Sequence, residues 1–273
     1  MGDNTIAPGK ISAELMELLG TEKQVDPFSR RYPDFDLNAA YEIVAQVRDL
    51  RLARGEKPVG RKIGFTNRSI WAGYGISAPI WNYVFDRTVT FSAGQDSSLV
   101  LAGMPEPRIE PEVVLHLAAT PVPGMTAVEL GECIDWVAPG FEVVYSIFPG
   151  WEFTAADAAA AYGVHGALIV GKKLDVATAR REAFSAISTF EVELRSNKGE
   201  RRKGHARNVL GGPLEALKFL VEEIARYPIC EPLVAGEFVT TGTLTEAMPA
   251  HPGETWSAQF EGIALAPLQL HFG

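Results

Sequence analysis

The segment Arg108-Ile109-Glu110-Pro111-Glu112 carries the residue types and spacing that speak most directly of chemistry. In an extended strand, side chains two residues apart leave the same face. Glu110 and Glu112 therefore aim two carboxylates the same way. Such a pair repels itself unless a cation lies between, and hard oxygen ligands suit Mg²⁺ or Mn²⁺. The competing reading is a solvated acidic strand face. The apolar Val113, Val114 and Leu115 that follow speak for burial instead, and a buried carboxylate pair needs compensation.

Glu142 is a lone acid in the apolar run Gly140-Phe141-Glu142-Val143-Val144. It is either a third carboxylate for the same ion or a core glutamate paired with an arginine such as Arg108. Lys62 stands among small and apolar residues in Gly60-Arg61-Lys62-Ile63-Gly64-Phe65-Thr66. Burial disfavours the charged form of a lysine and can make it a proton-transfer group, although the local pattern fits a surface lysine as well. His116 shares strand parity with the two glutamates, which makes it either an outer donor to them or a satisfied core histidine. His165 precedes Gly166 at a helix-to-strand junction, and His205, His251 and His271 read as loop or end residues. There is no Gly-x-Ser-x-Gly elbow, no phosphate-binding P-loop and no Gly-x-Gly-x-x-Gly fingerprint.

These residues must be held by elements that the pattern also predicts. A helix is expected over 9–20, with Ile11, Leu15, Leu18 and Leu19 at helical spacing and Gly20 as its stop. Asp36 caps a second helix, lined by Ala40, Ile43, Val44 and Val47 and ended by Gly55. After Pro58 the texture turns to β. Strands are expected over 60–66, 83–91, 108–117, 141–144, 167–170 and 189–195. A hairpin turn is expected at Asn197-Lys198-Gly199-Glu200, and a β tail from Glu237. Helical pieces are expected over 126–138, 155–161 and 213–226. Helices first, then a β-rich body with inserted helices, is an α+β order. The division expected is an N-terminal helical region over 1–57 and a β-rich catalytic domain over 58–273, together one unit.

The 273 residues carry 25 Lys and Arg against 34 Asp and Glu, a net charge of −9, which speaks against a nucleic-acid partner. No apolar run reaches the roughly 20 residues of a membrane helix. Met1 to Lys10 lacks the layout of a secretory leader. Cys133 and Cys230 are too few for a disulfide framework and read as reduced thiols, so a cytoplasmic location is expected.

Taken in order, several segments resemble the fumarylacetoacetate hydrolase superfamily, in its 2-keto-4-pentenoate hydratase and 4-oxalocrotonate decarboxylase branch. They are Lys62-Ile63-Gly64-Phe65-Thr66, Ile109-Glu110-Pro111-Glu112, Phe141-Glu142-Val143-Val144, Asn208-Val209-Leu210-Gly211-Gly212-Pro213, Thr241-Gly242-Thr243-Leu244-Thr245 and Pro252-Gly253-Glu254. The likeness runs from about Leu37 to the C-terminus. It implies a mixed β-roll with N-terminal helices packed on it. It implies Mg²⁺ or Mn²⁺ held by Glu110, Glu112 and Glu142, and a small 2-keto acid chelating that ion so that an enolate is stabilised. It implies Lys62 beside the keto-acid end, and Thr243 and Thr245, with the backbone near Gly242, bonding the substrate. A homo-oligomer, dimer or higher, follows from the same likeness.

Departures surround the substrate. Where the branch carries an acid, this chain has Ile80, within Ala78-Pro79-Ile80-Trp81-Asn82. Tyr145 stands where the family has an aspartate, and Ala161-Tyr162-Gly163-Val164 replaces an Asp-Asn-Ala-Ser segment. Trp81 is accordingly read as a substrate contact and His165 as a replacement acid/base. The expected activity is a hydratase or decarboxylase lyase. The alternatives are a C–C bond hydrolase of acylpyruvates and a non-catalytic keto-acid binder.

Overall fold

Asp36 accepts a hydrogen bond from the Ala39 amide through its side chain and so starts the Leu37–Ala53 helix. The computed structural model to which that helix belongs describes residues 6–68, 71, 78–179 and 186–273. An earlier helix, Pro8–Leu18, opens on a proline and is followed by Gly20 in the left-handed region. Both helices bury their apolar faces in the main core, the first packed against the second and the second stacking Tyr41 on Trp81 of the larger of two sheets.

The strands, in chain order, are β1 (Pro58–Gly64), β2 (Ile80–Phe85), β3 (Val89–Phe91), β4 (Asp96–Leu99), β5 (Arg108–Leu117), β6 (Ile134–Val144), β7 (His165–Val170), β8 (Leu174–Asp175), β9 (Glu191–Ser196), β10 (Arg201–His205), β11 (Phe238–Thr240), β12 (Met248–Pro249), β13 (Thr255–Glu261) and β14 (Leu268–Phe272). The large sheet runs β2-β1-β11-β5-β6-β7-β3, with β12 on β5 and β8 on β6. The small sheet runs β10-β9-β13-β14-β4. Its β9–β10 hairpin turns at Asn197–Glu200, with Gly199 at positive φ as that turn requires. The mixed sheets with helices packed on them are the α+β arrangement expected.

Several boundaries differ from expectation. The helix after Thr126 covers only Ala127–Glu132, and β6 begins at Ile134 rather than near Phe141. Trp136 and Ala138 join one apolar cluster while Val137 between them joins the main core, so the strand period overrides a short helical pattern. The stretch expected as one strand over 83–91 is two, separated by the turn Asp86–Thr88.

The large sheet curls. Val84 of β2 and Val89 of β3, from its opposite ends, join one apolar cluster with Val114, Ala138, Leu168, Val170 and Phe238. Phe91 of β3 meets Trp136 of β6 and Phe238 of β11 edge-on. This cluster fills one end of the concave face. The residues of opposite parity, such as Ile109, Val113, Phe141 and Val143, point outward into the main core with Ile11, Leu15, Tyr41 and Val44 of the helices. Gly140 sits on the concave face, where a Cβ would lie 2.8 Å from Val114, so the curl is tight there. Among the described residues no helix is long and apolar enough to cross a membrane.

Candidate active site

Lys62, Glu110, Glu112 and Glu142 occupy the other end of the concave face. In the β5–β6 ladder Glu110 is directly opposite Glu142, and Glu112 is opposite Gly140. Parity sends all three carboxylates the way of Val114 and Ala138, and one oxygen from each lies within 4.8 Å of the others. Glu112 and Glu142 are fully buried, while Glu110 is partly open. Glu112 Oε1 and Glu142 Oε2 are buried acceptors with no hydrogen-bond donor among the described residues. Buried, donor-poor and mutually repelling oxygens fit a divalent cation.

The electrostatics agree. Burial pushes the Glu110 carboxyl up to about 7, with Glu142 adding to the rise and Lys62 opposing it. Burial, then Glu142 and Glu110, push Glu112 well above the usual range. Burial acts on Glu142 in the same direction, but Lys62 and the His165 hydrogen bond outweigh it and bring Glu142 down to about 2. Burial likewise disfavours the Lys62 ammonium, yet the charges of Glu142, Glu110 and Glu112 raise its pKa above the ordinary lysine value. Lys62 Nζ lies 3.3 Å from Glu142 Oε2 and donates to the Gly163 carbonyl at 2.9 Å.

The floor of the site is pinned from two directions. The Gly242 amide donates to Glu112 Oε2 at 2.9 Å. That loop is itself laced along β5, by Thr241 to the Val113 carbonyl and by Leu244 to the Pro111 carbonyl. On the far side, His165 Nδ1 meets Glu142 Oε1 at 2.6 Å, and its Nε2 meets Thr88 Oγ1 at 2.8 Å. A carboxylate only accepts, so the hydrogen of that first contact belongs to His165.

A cleft of about 400 Å³ opens above the carboxylates, with Lys62 and Glu110 in its wall. Thr243 and Thr245 line it, their hydroxyls donating to the carbonyls of Thr245 and Glu246. The rest of the wall mixes apolar rings with polar groups, among them Phe65, Ile80, Trp151, Phe153, Thr66 and Arg108. Phe65, Trp151 and Val164, all on the cleft, hold left-handed backbone conformations that cost on the order of 1–3 kcal/mol each.

Several expectations need correction. Trp81 is not on the cleft: its parity is opposite to that of Ile80, and it stacks on Tyr41 of the Leu37–Ala53 helix at 4.9 Å. Ile80 takes the place on the wall. His165 is behind the carboxylates with both ring nitrogens engaged, so it positions Glu142 rather than facing the cleft. The Gly242 backbone holds Glu112 instead of offering its amide to a ligand. Arg108 does not pair with Glu142; its guanidinium covers the Trp151 ring at 4.1 Å. His116 lies further along β5, paired with Asp135 at 2.6 Å and stacked on Trp136, away from the glutamates. Thr66, which ends the Lys62 motif, also lines the cleft, and its buried hydroxyl has no partner among the described residues. Both cysteines are buried and free.

Residues 76–268 match the fumarylacetoacetate (FAA) hydrolase C-terminal family, and the chain belongs to that family. Within it, the chain stands near the hydratase and decarboxylase branch. It is 28% identical over 262 residues to a 2-hydroxyhexa-2,4-dienoate hydratase of Comamonas testosteroni, covering 93% of this chain and 94% of the relative. It is 27% identical over 263 residues to a 2-keto-4-pentenoate hydratase of Paraburkholderia phymatum, covering 96% and 95%. The fold superposes on 4-oxalocrotonate decarboxylase from Pseudomonas putida G7, complexed with magnesium and adipate, with a TM-score of 0.87 at 24% identity, over 98% and 99% of the two chains.

Proposed function

We propose that the protein is a divalent-metal-dependent lyase, a hydratase or decarboxylase, acting on a small unsaturated 2-keto acid. The observation that carries this reading is the convergence of Glu110, Glu112 and Glu142 beside Lys62 at the floor of an enclosed cleft. The names of the hydratase and decarboxylase relatives support it. Glu110, Glu112 and Glu142 would hold Mg²⁺ or Mn²⁺. When bound, that ion supplies a Lewis acid for the carboxylate and keto oxygens of the substrate.

The chain's own residues do the rest. Lys62 is fixed by Gly163 and Glu142 at the edge of the carboxylate set. Burial opposes the Lys62 ammonium, so an ion offsetting those carboxylate charges would draw its pKa down from the raised value and suit it to moving a proton. His165 and the Gly242 amide each hold one carboxylate in place, which keeps the floor preorganised. Thr243 and Thr245 keep lone pairs free toward the cleft for a substrate hydroxyl. Phe65, Ile80 and Phe153 exclude water from the carbon chain. We further read the chain as a cytoplasmic homo-oligomer, on its family and its buried free thiols.

The test is turnover followed by proton NMR, with Mg²⁺ or Mn²⁺ present. A 2-hydroxy-2,4-dienoate, an unsaturated 2-keto dicarboxylate and an acylpyruvate are offered separately. Hydration of the first, or CO₂ release from the second, is the expected result. Cleavage of the acylpyruvate alone would make the protein a hydrolase. Oxalate binding with no turnover of any of the three would make it a binder.

A further inference from the structure

A second cavity, of about 480 Å³, lies behind the carboxylates and shares no lining residue with the cleft. Its wall includes Arg51, Arg54, Arg87, Thr88, Tyr145 and His165. Three guanidinium groups face it against a single carboxylate, Glu56. Arg51 consumes that carboxylate, donating to one oxygen at 2.8 and 2.6 Å. Arg54 is exposed and gives one long hydrogen bond to the Met16 carbonyl, 3.3 Å. Arg87 is exposed and has no carboxylate partner among the described residues.

Tyr145 adds an independent sign. The residue is 4% exposed, it lines this cavity, and its hydroxyl has no hydrogen-bond partner among the described residues. A buried hydroxyl without a partner is costly, and a group entering the cavity would satisfy it. Planar guanidinium forks match carboxylate and phosphate oxygens, and a hydroxyl donor suits the same atoms.

We propose that this cavity is a second binding site for a small oxyanion, a carboxylate or phosphate group, held by Arg54, Arg87 and Tyr145. Its occupant lies against His165 and Thr88, the two residues that brace Glu142 from behind. The site stands apart from the cleft, so it does not depend on which reaction the cleft performs.

Isothermal titration calorimetry of the metal-free protein, with inorganic phosphate and with succinate, tests it. One site is expected for at least one probe, and the tighter of the two names the source of the oxyanion. Replacing both Arg54 and Arg87 with Ala should weaken binding at least about ten-fold, because two charge-assisted contacts are lost. Tyr145→Phe should weaken it by a smaller factor, and Arg108→Ala, a change in the cleft wall, should leave it unchanged. Arg54 and Arg87 are exposed, so an unaltered melting curve will verify that the double variant folds. Absence of heat from both probes at 20 mM (roughly the weakest affinity such a site would have), undiminished binding in the double variant, or loss of binding in Arg108→Ala would each overturn the proposal.

Discussion

Glu110 and Glu142 are directly opposed partners in the β5–β6 ladder, two carboxylates facing each other across one pair of strands. Like charges in that position destabilise a sheet. Here the cost is carried because Lys62 offsets part of it, because Glu110 and Glu112 are held toward their neutral forms, and because the set is built for a cation.

Glu110→Gln and Glu112→Gln remove a ligand charge without changing shape. Both variants should fold, and neither should melt at a lower temperature than the metal-free parent. Divalent-ion affinity should drop by more than the roughly 10- to 100-fold typical of an outer-sphere partner. Titration with Mn²⁺ beside thermal melts checks both parts; an unchanged affinity in either variant removes that residue from the site.

Metal affinity should fall with pH. Glu110, raised to about 7, and Glu112, raised well above the usual range by burial and its two carboxylate neighbours, hold protons in the metal-free protein that an entering ion must displace. Well below about pH 7 the competing proton on Glu110 is fully present and binding is weakest; as pH rises through that value the competition fades. Glu142, lowered to about 2, stays ionised throughout and contributes nothing to the slope. Calorimetry in buffers of different ionisation heat should record proton release on binding.

Lys62→Met removes the cation that neighbours Glu142 at 3.3 Å. Turnover should fall by on the order of 10² to 10⁴ if this amine moves the proton. Metal affinity should hold or rise, since a competing positive charge is gone. An unaltered kcat would leave Lys62 as a counter-charge alone.

His165→Ala should lower metal affinity by roughly 10- to 100-fold, the range for a group that orients a ligand. Thr88→Val should do the same more mildly, because it frees one side of the ring only. If the His165 variant binds Mn²⁺ like the parent, the 2.6 Å contact to Glu142 is incidental.

Gly242→Ala places a Cβ 2.0 Å from Thr66 Oγ1 at a residue whose φ is +94°. The strain should cost on the order of 1–3 kcal/mol. It should also shift the amide that holds Glu112, so lowered stability and weakened metal binding should appear together in melts and titrations.

The carboxylate pair was legible because a strand has period two and Glu110 and Glu112 obey it. Glu142 had no such signal; it came through a motif likeness, since nothing in one strand's pattern reveals its register against the next. The same parity rule exposes the error at Trp81. Ile80 and Trp81 are neighbours on one strand, so only one of them can face the cleft, and the tryptophan's size spoke for the helical core. The direction of His165 is not legible in the sequence, because a residue at the first position of a strand can serve either face. Arg108 beside Trp151 and Thr66 beside Gly242 depend on contacts between segments far apart in sequence. Composition and local spacing say nothing about those.

Among the described residues, apolar side chains plug one end of the curled sheet and the cleft opens above the carboxylates at the other. Glu112 and Glu142 lie beneath its floor, with only Glu110 and Lys62 reaching the wall. An organic acid seated in the cleft would therefore cover the cation's path. The order expected from this burial is ion first, organic acid second, and departure in reverse. Steady-state kinetics should show compulsory ordering, with the ion unable to exchange while the cleft is occupied.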